Sequence, residues 1–167
     1  MFENSILTKQ SIETILATAR RNLETDGGVC SVLFVQLASG QREARLVTLP
    51  ATSEEKRTYF AALGRALRQE GKLIQEAVLV SEGWFVRTNE APDAFKTPPS
   101  QHPLRQEAIT VIGRNASGTR VSSVVQPFTR DGENKPIWCQ PIFASYNEAS
   151  DKGYQLCGLI DNLFPLF

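Results

Sequence analysis

The sequence has only one histidine, His102, and three cysteines, Cys30, Cys139 and Cys157, which lie far apart along the chain. It contains no Cys-x-x-Cys pair, no His-Glu-x-x-His motif and no EF-hand loop, so the common zinc and calcium motifs are missing. An odd number of scattered cysteines, two of them in apolar segments, favours buried, reduced thiols. We therefore expect no metal site, no cofactor and a cytoplasmic location.

Long apolar runs and an excess of charge of either sign are also absent. No stretch approaches the roughly 18 consecutive apolar residues that a membrane-spanning helix needs, and the first nine residues do not resemble a signal peptide. The 18 basic residues balance the 18 acidic ones, which gives a formal net charge of zero. A nucleic-acid-binding domain usually carries a basic surplus. We expect neither a membrane nor a nucleic acid as a partner.

Motifs for phosphate binding and for nucleophilic catalysis are missing as well. The glycines form neither a P-loop nor a dinucleotide-binding pattern, and no Gly-x-Ser-x-Gly motif surrounds Ser81. The glycines are therefore interpreted as turn residues. His102 lies in the proline-rich stretch Thr88–Leu104, where we expect it to be a solvent-exposed loop residue rather than a catalytic base.

The most informative stretch runs from Ala77 to Arg87, and its first four residues are all apolar. Its valines and large aromatic residues favour a buried strand at the centre of a sheet. Strict alternation places Glu82 on the same face as Val80 and Trp84, where an unpaired charge is costly. A bulge at Gly83 would instead turn Glu82 toward the rim of the sheet.

The periodicity of the remaining chain predicts one α+β domain over residues 1–167. Helices are predicted at 9–26 after the cap Thr8, at 53–70 after the Thr52–Glu55 capping box, and before Pro165. Strands are predicted at 29–37, 42–49, 77–87, 106–112, 119–128 and 137–143. The order α-β-β-α-β-β-β-(β)-α favours two layers: an antiparallel sheet of five to six strands backed by two to three helices. This order of elements is similar to that of roadblock and profilin-like domains, and no motif accompanies the similarity.

Two glutamates form the strongest candidate for chemistry. If the strands containing Glu82 and Glu107 pair antiparallel, both carboxylates lie at the same rim, beneath the loop Thr88–Leu104. A carboxylate pair beside an apolar wall suits acid–base catalysis, because the two pKa values are pushed apart. An arginine between them would instead hold both as ionised carboxylates in a structural network. The candidate ligand-binding residues are Glu82, Trp84, Arg87, His102, Arg105 and Glu107.

The last third of the chain is rich in apolar residues, including Phe128, Trp138 and the terminal Phe164–Phe167. These side chains either complete the core or form a contact with a second copy, through an edge strand or the apolar tail. We interpret the chain as a small soluble binding domain that acts as a homodimer and has an unidentified protein or small-molecule partner. The alternative is an enzyme that uses Glu82 and Glu107 as its pair of carboxylates.

Overall fold

The computed structural model describes residues 4–87, 93, 96–146 and 158–165. In these ranges the protein has two α-helices and seven strands, and the α+β class with an antiparallel sheet is confirmed. The helices are α1 (Lys9–Asp26) and α2 (Ser53–Gln69). The strands are β1 (Val32–Leu37), β2 (Arg42–Leu46), β3 (Ile74–Phe85), β4 (Gln106–Asn115), β5 (Val121–Arg130), β6 (Pro136–Trp138) and β7 (Phe143–Ser145).

The strand order in the sheet is β2-β1-β3-β4-β5-β6, and β7 also pairs with β5. Every pair is antiparallel. The predicted central strand is β3, which is 12 residues long and lies between β1 and β4. Its register with β4 is continuous past Gly83, so no bulge interrupts the alternation. Glu82 therefore stays on the same face as Val80.

The two helices cover opposite faces of the sheet, so the sheet is the middle of three layers. Helix α1 packs on one apolar face, whose strand residues are Val78, Val80, Ile109, Val111, Val124 and Phe128. Helix α2 packs on the other, whose strand residues are Leu33, Val35, Leu37, Ile74, Ala77, Leu79, Ile112 and Val121. The two-layer prediction placed the helices on one face. Strands that are apolar on both faces instead need cover on both sides.

The helix predicted before Pro165 is a short 3₁₀ turn, Asp161–Leu163, in the described part of the chain. The predicted helical position Leu156 lies outside the described residues. Ile160 and Leu163 are buried against the α2 side of the core, and Phe164 joins them. Phe128 is buried on the opposite face, in edge-to-face contact with Trp138. These five residues of the last third therefore contribute to the core, whereas Leu166 and Phe167 lie outside the described residues.

Both predicted helix starts are confirmed. The Thr8 hydroxyl accepts a hydrogen bond from the backbone N–H of Ser11. At α2, Thr52 and Glu55 exchange the two hydrogen bonds of a capping box. Each bond satisfies a backbone N–H that has no partner inside the helix, which is why such residues mark helix starts.

Gly64 in α2 allows the C-terminal segment to approach the helix backbone. A β-carbon at this position would lie 2.3 Å from the carbonyl oxygen of Leu163. Alanine is favoured over glycine inside a helix, but this clash is with backbone and cannot be relieved by a rotamer change. We expect Gly64→Ala to lower the free energy of unfolding by about 1–2 kcal/mol, measured by urea denaturation.

Gly132→Ala is the matched control, because a β-carbon there would meet no atom within 4 Å. We expect it to change the free energy of unfolding by less than about 0.5 kcal/mol. If both variants unfold at the same urea concentration as the wild type, the packing of the Leu163 segment on Gly64 is not tight.

Candidate functional site

Three neighbouring strands bring Glu82, Glu107 and Arg130 together on the face covered by α1. Glu82 is on β3, Glu107 on β4 and Arg130 on β5, and the guanidinium lies between the two carboxylates. Its Nη2 donates to Glu82 Oε1 at 3.2 Å, and its Nε donates to Glu107 Oε2 at 3.0 Å. The two glutamates lie at the same end of the β3–β4 pair, as antiparallel pairing of these strands predicts.

The cluster is tied to the loop that follows α1. The backbone N–H of Val29 donates to Glu82 Oε2 at 2.9 Å, and Arg130 Nη1 donates to the carbonyl oxygens of Gly27 and Asn134. The side chains of the three clustered residues are 18–22% exposed. The hydrogen bond with Glu107 and the charge of both carboxylates raise the pKa of Arg130 above its ordinary value. The arginine is therefore fully charged at neutral pH and holds both carboxylates as ion pairs.

Arg130 was not among the candidate residues, although its position contains a usable signal. Phe128 is the buried apolar residue that pairs with Glu107, and Arg130 follows it by two positions on the same face of β5. The buried face of β5 ends in a positive charge, and the neighbouring strands β3 and β4 end in negative charges. This arrangement indicates an ion-pair network. Finding it requires the pairing of β4 with β5, which the residues of β5 alone do not specify.

Trp84 and Arg105 interact with each other at the end of β3. The Arg105 guanidinium lies 4.9 Å from the centre of the Trp84 ring, a cation–π contact. Trp84 is 44% exposed, so much of its ring remains accessible to solvent or to a ligand. Arg87 is half-buried and lies two residues beyond the end of β3.

His102 is 2% exposed, in contrast to the exposed loop position predicted for it. Its Nδ1 accepts a hydrogen bond from the backbone N–H of Leu104 at 3.0 Å, so the neutral ring carries its proton on Nε2. That nitrogen lies 3.3 Å from Asp93 Oδ1, to which it donates. Both ring nitrogens therefore have hydrogen-bond partners, Leu104 and Asp93, and these bonds offset the free-energy cost of burying the polar ring. We interpret His102 as a residue that fixes the loop.

A groove of about 1320 Å³ opens beside Trp84, between the end of β3 and the connection from β2 to α2. Glu82 and Trp84, two of the candidate residues, line it. Other residues of its wall are Leu46, Val47, Pro50, Lys56, Val86 and Pro98. The groove exists because β1 begins at Val32, opposite Val80, while β3 continues past Val80 to Phe85. It occupies the space that a longer β1 would fill.

One wall of the groove is an open strand edge. Gln75 accepts a hydrogen bond from the backbone of Ala116, so odd-numbered residues of β3 bond toward β4. Alternation then directs the backbone N–H and C=O groups of Glu82 and Trp84 away from β4 and into the groove. Within residues 4–87 and 96–146, no strand pairs with this part of β3 on that side.

The thiols do not match their predicted burial. Cys30 and Cys139 are both exposed and unpaired, and Cys30 lies on the wall of the groove. Cys157 lies outside the described residues. Each of the two cysteines sits just outside a strand, where the alternation that buries strand residues no longer applies. In the described ranges, no three His, Cys, Asp or Glu side chains come close enough to hold a metal ion.

No protein-family model matches the chain, and neither a curated protein nor a solved structure shows significant similarity to it. Neither helix in the described part of the chain combines the length and hydrophobicity of a membrane span.

Proposed function

We propose that this protein is a small protein-binding domain, which holds an extended segment of its partner in the groove beside Trp84. The open edge of β3 is the observation that carries the proposal. An extended peptide that pairs with Glu82 and Trp84 would add a strand to the sheet at the point where β1 has ended. Main-chain hydrogen bonds to such an edge supply affinity for peptides of many sequences.

The walls of the groove indicate which peptides would bind best. Trp84 is 44% exposed and Leu46 is 77% exposed, and together they offer an apolar surface for one peptide side chain. Lys56 and Lys96 also line the groove, whereas the charge of Glu82 is already matched by Arg130. This charge distribution favours a peptide that carries an acidic residue next to an apolar one.

The protein-binding interpretation has more support than catalysis by Glu82 and Glu107. Acid–base chemistry requires a carboxyl group that is free to reach a substrate, and both carboxylates are here engaged in hydrogen bonds with the bridging Arg130. We further propose that the protein acts as a homodimer in the cytoplasm. A reducing compartment suits the exposed, unpaired thiols of Cys30 and Cys139.

A peptide selection tests the proposed function. Ten-residue peptides would be selected from a random phage-displayed library on the immobilised full-length protein, and the enriched sequences synthesised. Amide hydrogen exchange would then be measured with and without a synthesised peptide. We expect the bound peptide to slow exchange at Glu82 and Trp84, whose N–H groups face the groove. Gly83 should change less, because its N–H faces β4. Failure of the library to enrich any peptide, or unchanged exchange at both residues, would overturn the proposal.

Gly83→Leu should block the groove. Gly83 lines the groove, and a β-carbon at this position would meet no atom within 4 Å, so the added side chain starts in open space. We expect it to weaken peptide binding by about tenfold or more, measured by fluorescence anisotropy with the labelled peptide. Gly132→Leu adds the same side chain in a turn away from the groove and should leave the affinity unchanged. Equal affinities for both variants would count against the groove as the binding site.

A further inference from the structure

The second open edge of the sheet belongs to β2, the end strand of the order given above. Val47 donates to the carbonyl oxygen of Ser31 at 3.0 Å, and Leu37 donates to that of Gln41 at 2.9 Å. Odd-numbered residues of the second strand therefore bond toward β1. Alternation directs the backbone groups of Arg42, Ala44 and Leu46 outward, where within the described ranges no strand pairs with them.

The side chains of β2 are complementary in charge to those of a second β2. In an antiparallel pair centred on Ala44, Glu43 of each copy lies opposite Arg45 of the other. The outward backbone groups of the two copies meet only in this register and in registers shifted from it by an even number of residues. A shift of two residues in one direction sets Glu43 opposite Glu43, and the other direction sets Arg45 opposite Arg45. Like charges directly opposite each other are destabilising, so among these three registers the charges favour the one centred on Ala44.

We propose that two copies of this chain join through β2, antiparallel about a twofold axis at Ala44, to form one continuous sheet. This inference rests on the proposed homodimer and names its surface. In this register, Leu46 of one copy lies opposite Arg42 of the other. Leu46 is 77% exposed in the single chain, and contact with the arginine stem would cover part of it. When a twofold partner pairs with an open edge, the backbone groups of that edge can no longer pair with strands of other molecules.

A balanced charge cluster surrounds the proposed contact. Lys72 Nζ lies 2.9 Å from Glu43 Oε1, and Arg45 Nη2 lies 2.9 Å from Glu43 Oε2. Glu70 also pairs with Lys72, at 3.2 Å. Hydrogen bonds from Lys72 and Arg45 lower the pKa of Glu43, so this carboxylate is ionised at neutral pH. The two positive and two negative groups of this cluster balance, and Arg42, at the end of the proposed contact, adds one positive charge per copy.

The oligomeric state of matched charge variants tests the inference. Light scattering of the full chain at micromolar concentration should give twice the monomer mass of 18.5 kDa. E43R alone and R45E alone each set like charges opposite one another, so both variants should be monomeric. An equimolar mixture of the two should restore the dimer, because every basic residue at these two positions then faces an acidic one.

Ala44→Pro is a second variant, which removes the outward N–H at the centre of the contact. The N–H of Ala44 does not bond to β1, and proline is tolerated at such edge positions. We expect a folded monomer, with the far-UV circular dichroism of the wild type. A monomeric wild type would overturn both the homodimer and its surface. A dimer that survives Ala44→Pro and both charge variants would overturn the surface alone, and a mixture that stays monomeric would overturn the register.

Discussion

Replacing Glu76 by alanine is expected to lower the free energy of unfolding by about 3–5 kcal/mol. Glu76 is 5% exposed, at the start of β3. Its carboxylate accepts hydrogen bonds from Arg120 Nη1, from the Ser5 hydroxyl and from the backbone N–H of Ile6, each at 2.9 Å. The substitution removes the carboxylate that balances the Arg120 charge and the acceptor that fixes the chain before α1. Desolvated groups that lose their partner account for the size of the effect.

Glu133→Ala is the control for this prediction. Glu133 lies in a turn and forms an exposed ion pair with Lys135, in which both side chains are more than half accessible. Exposed pairs of this kind contribute about 0–1 kcal/mol. Urea denaturation of the two variants compares a buried carboxylate with an exposed one, and Glu76→Gln tests whether shape without charge restores part of the loss. Similar losses for Glu76→Ala and Glu133→Ala would show that the Glu76 cluster does not stabilise the fold.

Arg130→Met is the second substitution for which we expect a large effect, a loss of about 2–4 kcal/mol. Without the guanidinium, Glu82 and Glu107 are diagonal neighbours on the same face of the β3–β4 pair with no cation between them. The expected loss is smaller than for Glu76 because these side chains retain about a fifth of their exposure, and water screens part of the repulsion. Methionine retains much of the arginine stem, so the comparison isolates the charge and its hydrogen bonds.

A second substitution separates repulsion from lost packing at this cluster. Glu107→Gln added to Arg130→Met removes one of the two like charges and should recover part of the stability, which a double-mutant cycle would measure. Arg65→Met, at an exposed position of α2, is the control and should have little effect. The pKa of Arg130 is raised, so its contribution is present at every pH below its ordinary value. The difference between the wild type and Arg130→Met should therefore be constant from neutral to mildly alkaline pH. A full loss that Glu107→Gln does not reduce would show that packing, and not charge, is responsible.

The two carboxylates of β3 fasten opposite ends of α1. Glu76 and Glu82 lie on the same face of the strand, six residues apart, and alternation keeps both toward α1. Glu76 binds the backbone just before the helix, at Ile6, and Glu82 binds it just after, at Val29. An 18-residue helix is about 27 Å long, and six strand residues span about 20 Å, so the separation of the two carboxylates is comparable to the length of α1 and somewhat shorter. We infer that β3 sets the position of α1 on the sheet.

Much of the fold is encoded in short stretches and was predicted from them. Three examples are the apolar periodicity of α1, the capping box of α2 and the valine-rich run of β3. Each depends on residues that are close to one another in the sequence. The proximity of Glu82 and Glu107 followed from pairing two neighbouring strands. Their partner Arg130 belongs to a third strand, and its assignment required the register of the whole sheet. The burial of His102 also could not be predicted, because its hydrogen bonds form within a loop that has no periodic pattern.

The sequence by itself determined α1, α2, the strands β1 to β5, their order and the central place of β3, since hydrophobic periodicity and caps act over a few residues. The single strand predicted at 137–143 is instead two short strands, β6 and β7. Only the tertiary structure decided which faces the helices cover, which arginine neutralises the carboxylates and where strands end without a neighbour. These features depend on contacts between residues that are far apart in the chain. The groove beside Trp84 is the clearest case, because it arises from the difference in length between β1 and β3. These two strands are neighbours in the sheet but are separated in the chain by β2 and α2.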